Sequence, residues 1–491
     1  TGGREPHRPE ASPDAPLPAD AETREELALA LGLLDDGGPS PGLLEALVED
    51  ADPRVARAAL LSVGRLRRDG LVPKMLAALA EPELRERARE ALVRQGPPVE
   101  EALEDWLRDP AREASVRRQI PGVLARIPRQ EAVDTLLRWL GEARDDRVVE
   151  VRSVKALSKL RSRSSPSGDE PDDDALVFER PAVLAVMRRE VAEARRYAAL
   201  RRALTGSDTD ASGRRLLARA LDEAWEECQE LVFRCLGLAF PPERVYRAYV
   251  AVTRGDERVR ANAVEWLDES LGHTIFHEIE PVLERRPTGS RDEGDVRGAE
   301  TLEDLTRDRR PWLAEVAAWA LNPHRGTDDG DRAGPGAVED APAADRGPDR
   351  GAREGMDRIE KVFLLQKVDL LEEARSSHLA LLASIAEEVE VAEGEVLIRQ
   401  GETNEALYVL IRGSVELRGM GDQVMVAREN TPFGTWALID SDPSVVGARA
   451  AEPSRLLRIT RSDFHDLLAD HPELAMGMLQ GLARRLRSLV A

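Results

Sequence analysis

One apolar pattern returns along much of this chain. Counted from Val55, apolar or small residues fall at i, i+4, i+7, i+8 and i+11, and the register starts again at Leu84, Val116 and Val149. These starts are 29, 32 and 33 residues apart, and a fifth copy begins at Val259. The spacing is one stripe of an amphipathic helix. A second apolar stretch separates successive copies, so the sequence predicts repeated pairs of antiparallel helices.

A helix pair cannot bury its stripe alone, but stacked pairs can, which is how such a period forms an α-solenoid. We therefore expect an all-α solenoid over residues 23–322. The stretches DPRV, DPAREASVRR and DERVR resemble HEAT repeats, where Asp or Pro opens the second helix and Val-Arg begins its inner face. Arginine follows Val116 and Val259 but not Val55. Such a stack would present a concave surface to a protein partner or serve as a rigid brace, and the sequence leaves both functions open.

Four segments are too polar or too rich in Gly and Pro to form a core. They are residues 1–22, expected to be disordered, 161–174 and 286–299, expected to be mobile loops, and 323–355, expected to be a flexible acidic linker. The last segment is the strongest boundary, because the chain changes character after it. The sequence thus predicts several domains, with a second folded domain over residues 356–491.

The charge balance argues against some partners. The chain has 70 basic and 92 acidic residues and a formal net charge of -22. A surface of this sign repels phosphate backbones and anionic lipid, so we expect no nucleic-acid partner. No run of 18 apolar residues occurs, so we expect no membrane span in this chain.

Two cysteines, Cys228 and Cys235, share one face of a predicted helix. A disulfide framework would need more of them, so we expect two small core residues in a reducing compartment. These features favour a cytoplasmic protein, which can still associate with a membrane through a partner.

Alternation typical of strands begins after Ala386. Apolar residues alternate with others around Val396, Leu407 and Val415, and glycine-containing turns such as RQGETNE and IRGS separate the runs. Short strands with tight glycine turns, between helices at both ends, predict a small antiparallel roll. The expected fold class is therefore multidomain: an all-α HEAT-like solenoid followed by an α+β domain with an antiparallel β-roll.

Residues 358–491 resemble the cyclic nucleotide-binding domain. The segments EGEVLIRQGE and ALYVLIRGSVEL fit that family, and its turn glycines correspond to Gly394, Gly401, Gly413 and Gly434. The resemblance implies closing helices at SDFHDLLAD and PELAMGMLQGLARRLRSLV. It also implies that FGTWALIDSDPSVVGARA is the ligand cassette, in which a short helix presents backbone N–H groups to the cyclic phosphate.

Within the cassette, two positions depart from the family. Phe433, Gly434, Ala437 and Leu438 fit and fix the alignment. The resemblance implies a glutamate for the ribose hydroxyl and an arginine for the phosphate, but Thr435 and Ser444 stand there. Losing a charge-assisted hydrogen bond costs about 1.5–3 kcal/mol, so losing two weakens binding roughly a hundred- to ten-thousandfold. We expect no cofactor and no ordinary cyclic nucleotide binding.

Residues in and near the cassette offer two substitutes for the missing groups. Arg449 or Arg412 could turn inward and supply positive charge, although arginines on such strands more often face solvent. Trp436 could stack on a base, but we expect a buried tryptophan that fills the vacated pocket. Asp440 and Asp442 would repel a phosphate.

No segment carries a recognisable catalytic motif. His273 and His277 could share a helix face, but no third ligand lies beside them and the HExxH order is absent, so surface histidines are favoured over a metal site. The chain also lacks a phosphate-binding loop with its lysine, a GxSxG elbow and a CxxC pair. We expect no enzymatic activity, no catalytic residue and no bound metal.

The order of helical repeats, acidic linker and roll is similar to the soluble tail of some bacterial ADP/ATP translocase-like membrane proteins. This resemblance is carried most specifically by LLARALDEAWEECQELVFRCLGLAFPPERVYRAYV, GDERVRANAVEWLDESL, RPWLAEVAAWAL and MDRIEKVFLLQKVDLL. It implies that a nucleotide transporter portion would precede Thr1.

The function predicted from these features is a non-catalytic scaffold and regulatory module. The solenoid would bind a protein partner or the cytoplasmic face of a membrane protein, and the roll would be a docking domain or a vestigial sensor domain. One alternative is a cyclic nucleotide sensor in which ligand binding moves the C-terminal helix 472–490. Another is a structural subunit of a larger assembly. We do not expect the regulator architecture in which such a roll drives a helix-turn-helix, because these residues contain none after the roll.

Overall fold

The computed structural model describes residues 17–33, 41–142, 146–164, 176–204, 211–283, 302–321, 355–371, 374–419, 424–440, 442–471 and 474–479. The chain divides into two compact units. The first comprises Thr1–Tyr197 and Trp225–Thr288, and the second comprises Ala198–Ala224 and Gly289–Ala491. This division differs from the predicted one, because helical residues on the N-terminal side of the linker belong to the same unit as the roll.

Up to residue 283 the described chain is helical. The helices are α1 (Ala21–Leu31), α2 (Pro41–Val48), α3 (Pro53–Leu66), α4 (Val72–Ala77), α5 (Pro82–Gln95), α6 (Pro98–Arg108), α7 (Ala114–Arg117), α8 (Ile120–Leu124), α9 (Gln130–Glu142), α10 (Arg147–Arg163), α11 (Arg180–Ala203), α12 (Ala211–Ala239), α13 (Pro242–Arg254), α14 (Glu257–Leu271) and α15 (His273–Ile279). The positions of the five predicted copies lie on helices, except Ile127 at the end of the third copy. The third copy is split into α7 and α8, because Pro121 lacks the N–H that would continue the helical bonding.

Successive copies are neighbours in the first unit. Helix α3 packs against α1 and α5, α5 packs against α8, and α8 packs against α10. Gly64 allows one close approach, since a methyl group there would lie 2.9 Å from Ala91 Cα. The stripe of α3 is buried, whereas Val259 at the start of the fifth copy is exposed. The helices therefore stack in chain order over the first four copies, and their assignment to the HEAT family stays a prediction.

Aspartates begin four helices of the first unit. The side chains of Asp20, Asp52, Asp146 and Asp256 accept hydrogen bonds from backbone N–H groups of the first turn. These groups have no partner within the helix, so an aspartate at this position stabilises its start. This role explains the aspartates of DPRV and DERVR.

Several predicted boundaries fall largely on residues that the structure does not describe. These are most of the segment 1–22, most of the loop 161–174, the whole of the loop 286–299 and nearly all of the linker 323–355. The predicted start of the loop at residue 161 is wrong, because α10 continues to Arg163. Helix α1 begins at Ala21, inside the segment expected to be disordered. Cys228 and Cys235 are both buried, as predicted.

The second unit contains the roll. After α16 (Pro311–Leu321), α17 (Arg358–Leu365) and α18 (Ser376–Ile385) come β1 (Glu387–Val391), β2 (Val396–Ile398), β3 (Ala406–Arg412), β4 (Val415–Arg418), β5 (Val424–Ala427), β6 (Pro432–Phe433), β7 (Gly447–Ala450), β8 (Ser454–Thr460) and α19 (Arg461–Asp470). The strands form two antiparallel sheets, in the orders β1-β8-β3-β6 and β2-β7-β4-β5. The predicted antiparallel roll is confirmed.

The interior of the roll lies between the two sheets. Leu410 and Leu456 from one sheet meet Val415, Ala448 and Ala450 from the other in one buried cluster. Helix α19 covers the predicted closing segment SDFHDLLAD, while only residues 474–479 of the second closing helix are described. Among the described residues, no helix is both long enough and apolar enough to cross a membrane.

Candidate ligand site in the antiparallel roll

The cassette begins at a core residue. Phe433 lies on β6 opposite Tyr408 of β3, and the two rings stack with centroids 5.4 Å apart. Phe433 also belongs to the buried cluster between the sheets. Its role in this chain is therefore to fix the start of the cassette against the sheet.

Gly434, with a φ of 75°, turns the chain into a short 3-10 helix, Thr435–Leu438. The turn is crowded, because a methyl group at Gly434 would lie 2.6 Å from Asn404 Nδ2 and 2.7 Å from Ala406 O. A left-handed backbone and a close neighbour both require glycine here.

Two side chains of α19 hold this short helix. The Arg461 guanidinium donates hydrogen bonds to the carbonyl oxygens of Ala437 and Asp440, and His465 Nε2 donates to Leu438 O at 3.0 Å. Ala437 and Leu438 are buried beneath it. Arg461 and His465 were not among the residues predicted from the sequence, where their i, i+4 spacing at the start of the closing helix is the only signal.

Trp436 is not buried. Its side chain is 63% exposed, so the expectation that it fills a vacated pocket is wrong. On this short helix Ala437 and Leu438 point inward, whereas Trp436 and Ile439 are both exposed. The ring is therefore presented to solvent, and the inward positions are taken by smaller aliphatic residues.

Ser444, which stands in place of the family's arginine, bonds to neighbouring loop residues. Its N–H donates to Glu402 O at 2.8 Å, and its carbonyl accepts from the Gly401 N–H at 2.8 Å. Its hydroxyl donates to Val446 O at 2.7 Å and accepts from the Val446 N–H. This arrangement fixes the loop before β7 and brings no positive charge to the cassette.

The two arginines that could replace that charge face away from the interior. Arg449 is exposed, and its Nε donates to Gly394 O at 2.9 Å. Its neighbours Ala448 and Ala450 point into the core, and side chains alternate along a strand. Arg412 is also exposed at the end of β3. Neither residue supplies the missing cation in this structure.

A cavity of about 640 Å³ lies beside the cassette, but it is a different feature. Residues of β2, β3, β8 and α19 line it, with Arg399, Glu402, Arg461 and Asp466 among its charged groups. Thr435, Trp436 and Ser444 are not part of its wall. The charges are mixed in sign, so the cavity does not select an anionic ligand.

The histidine pair in the first unit has surface partners. His273 and His277 are both largely exposed, at 3.4 Å from Asp268 Oδ1 and 3.3 Å from Glu280 Oε2 respectively. Within the described ranges, no group of three or more His, Cys, Asp or Glu side chains could hold a metal ion.

Comparison with known proteins identifies part of the second unit. Residues 388–471 match the family model described as cyclic nucleotide-binding domain. A CRP-like cAMP-activated global transcriptional regulator from Mycobacterium tuberculosis is 25% identical over 129 residues, which is 25% of this chain and 58% of that protein. A global nitrogen regulator from Synechocystis is 34% identical over 93 residues, or 18% of this chain and 41% of that protein.

One solved structure is also among the similar proteins. The sensor domain of the transcriptional regulator DNR from Pseudomonas aeruginosa is 27% identical, with a TM-score of 0.23, and covers 27% of this chain and 93% of that domain. The chain thus spans little more than half of the first regulator and less than half of the second. Residues 388–471 of this protein constitute a cyclic nucleotide-binding domain, and its relatives are regulators.

Proposed function

We propose that this chain is a non-catalytic regulatory and scaffold protein whose roll keeps its fold without binding cyclic nucleotides. The observation that carries the proposal is that two uncharged residues, Thr435 and Ser444, stand where the family has its glutamate and arginine. The Ser444 hydroxyl is already bonded to Val446. A pocket without a fixed cation loses the charge-assisted bonds that hold a cyclic phosphate.

In this proposal the helical part binds a protein partner or the cytoplasmic face of a membrane protein, including one of the nucleotide transporter type. The stacked copies of the first unit support it, because stacked helix pairs create extended surfaces for partners. The HEAT and translocase resemblances remain proposals, as does the cytoplasmic location.

Contacts within the second unit support a docking role for the helices that precede the roll. Glu223 accepts two hydrogen bonds from Ser376 at the start of α18, from its N–H at 2.7 Å and from its hydroxyl at 2.8 Å. The Ser376 hydroxyl also accepts from Trp312 Nε1 of α16 at 2.8 Å. Ser376 is fully buried, so each of these bonds replaces one that water would otherwise make.

A second set of contacts joins α16 to α17. Arg358 forms an ion pair with Glu315, and Trp319 Nε1 donates to Asp357 at 3.2 Å. The Trp319 and Phe363 rings lie 5.6 Å apart. These contacts join the roll's leading helices to helical residues that precede the linker, so the attachment does not depend on residues 323–355 alone.

Replacing Glu223 with alanine is expected to destabilise the second unit by about 1.5–3 kcal/mol, because the N–H and the hydroxyl of buried Ser376 both lose their acceptor. Hydrogen exchange in α18, together with the urea midpoint, measures the effect. Asp222→Ala is the matched control on the same helix, since its ion pair with Arg201 is partly exposed and should contribute no more than about 1 kcal/mol. Equal effects of the two substitutions would count against the docking role.

Calorimetry on the full chain tests whether the roll binds a cyclic nucleotide. We expect cyclic AMP and cyclic GMP to bind with a Kd weaker than about 100 µM, and a sub-micromolar Kd would refute the proposal. The double variant Thr435→Glu, Ser444→Arg restores the two charged groups and should tighten binding at least about tenfold, the effect of one charge-assisted bond. Thr435→Gln, Ser444→Gln matches the added bulk without the charges and should not bind.

A cyclic nucleotide sensor is the second candidate function. Two observations favour it: the family match over residues 388–471 and a relative whose name describes it as cAMP-activated. That relative is also named as a transcriptional regulator, so the absence of a nucleic-acid partner stays a prediction. The same calorimetry separates this candidate from the scaffold proposal.

A further inference from the structure

The edges of the two sheets differ in how they are protected. An edge strand exposes a row of unpaired backbone N–H and C=O groups, and proteins usually guard it with charge, proline, a bulge or a short strand. The described sheets have four edges, formed by β1, β6, β2 and β5. Any edge without protection is a candidate for pairing with another strand.

Three of these edges carry such protection. Strand β1 has the sequence EEVEV, with Glu387 and Glu388 paired to Arg458 and Arg455. Strand β6 has two residues, one of them Pro432. Strand β2 has three residues and a register shift against β7.

Strand β5 is longer than β6 and β2, with four residues, and it pairs with β4 without a register shift. Its sequence is Val424–Met425–Val426–Ala427, without charge or proline. The first three side chains are 52%, 60% and 51% exposed. Val424 and Val426 lie across from Arg418 and Glu416, and Met425 lies across from Leu417, so apolar side chains are exposed on both faces of the strand.

We propose that the free edge of β5 pairs with β5 of a second copy of this chain. A strand added along this edge would cover all three apolar side chains, and pairing β5 with itself places apolar residues opposite apolar residues. In an antiparallel pair with a two-fold axis at Met425, Val424 faces Val426 of the second copy and the two methionines face each other. Such a contact closes on itself as a dimer, as isologous interfaces do.

The charges beside β5 fit this arrangement. The four central strands of the joined sheet are β4 and β5 of each copy. Side by side across them lie Glu416 and Val426 of one copy, followed by Val424 and Arg418 of the second copy. The two-fold axis generates the same row in the opposite direction. Like charges therefore do not meet in these rows, and each row ends in opposite charges. The two sheets join into one of eight strands.

The dimer is expected to be weak. A four-residue edge buries far less than the roughly 1,600 Å² of a standard interface, so its Kd should lie in the micromolar range. This inference rests on the sheet edge and does not depend on whether the roll binds a nucleotide.

Sedimentation of the full chain between about 5 and 200 µM tests the proposal over the concentration range in which a micromolar Kd is visible. The natural protein should pass from monomer to dimer, and Met425→Lys should weaken association at least about tenfold by placing two like charges opposite each other. Val396→Lys is the matched control, because Val396 is 48% exposed on the other edge of the same sheet and should leave association unchanged. A natural protein that stays monomeric at the highest concentration, or a dimer unaffected by Met425→Lys, would overturn the proposal.

A disulfide trap tests the same strand pairing with a variant that introduces no charge at position 425. Directly opposed residues of antiparallel strands have Cα atoms about 4.5–5.5 Å apart, within the range that a disulfide spans. Met425→Cys should therefore form a disulfide-linked dimer under mild oxidation, while Val396→Cys should not. The native cysteines are buried and do not compete. Equal cross-linking of the two variants, or none by Met425→Cys, would also overturn the proposal.

Discussion

Arg147→Leu is expected to destabilise the first unit by about 3–5 kcal/mol, the cost of leaving a buried charge without its partner. Arg147 is 5% exposed, and its neighbours Glu150 and Glu190 are each 1% exposed. The guanidinium donates to both carboxylate oxygens of Glu190, at 2.6 and 2.8 Å. It also donates to Glu150 at 3.0 Å and to Glu227 at 2.9 Å.

The arginine holds three carboxylates from three helices. Burial alone would lower the pKa of Arg147, but the hydrogen bonds to Glu190 and the charges of Glu190 and Glu227 outweigh burial and raise that pKa well above its ordinary value. A raised pKa means that the stabilisation is fully present below the ordinary arginine value. Leucine would remove the guanidinium that bonds both oxygens of the buried Glu190 carboxylate.

Urea unfolding of the full chain, with hydrogen exchange in α10 and α11 to locate the change, measures this effect. Arg126→Leu is the control, because Arg126 pairs with exposed Glu86 and an exposed pair contributes about 0–1 kcal/mol. Adding Glu190→Leu to Arg147→Leu should recover part of the loss, since it removes one stranded charge. If Arg147→Leu and Arg126→Leu lower the free energy of unfolding equally, the buried cluster stabilises the protein no more than an exposed ion pair does.

Gly434→Ala is expected to destabilise the roll by roughly 2–5 kcal/mol. About 1–2 kcal/mol comes from placing a side chain in the left-handed region, and about 1–3 kcal/mol comes from the collision with Asn404 and Ala406. The carbonyl of Ala406 belongs to β3, so it cannot move without disturbing the sheet. The expected outcome is a shift in the unfolding midpoint and faster hydrogen exchange in β3 and β6.

Gly401→Ala separates the two causes. Gly401 has a similar φ of 82°, but a methyl group added there meets nothing within 4 Å. It should therefore cost only about 1–2 kcal/mol, the backbone strain alone. If both glycine variants lose the same stability, the crowding around the cassette turn is not the reason for glycine at position 434.

The roll could be predicted in detail because its signals are local. Each of the four turn glycines singled out from the sequence has a positive φ, between 75° and 102°. Alternating residues around Leu407 and Val415 became β3 and β4. A strand period of two and a left-handed turn depend on a few neighbouring residues, so the sequence carries them directly.

In the cassette, some side-chain directions could not be predicted from the sequence. Thr435 and Ser444 could be placed by alignment, yet the outward direction of Trp436 could not. That direction follows from Ala437 and Leu438 occupying the inward positions and from Arg461 holding the helix. Arg461 lies 24 residues away in the chain, and local pattern does not report contacts of that length.

The amino-acid sequence by itself determined the helical stripes, the antiparallel roll and the loss of two charged groups from its cassette, because each is a property of nearby residues or of alignment. Only the tertiary structure decided which charges became buried and which helices joined the roll. Arg147 meets Glu227 across 80 residues, and Ser376 meets Glu223 across 153 residues. Such partners are selected by packing and desolvation in three dimensions, and neither leaves a periodic trace along the chain.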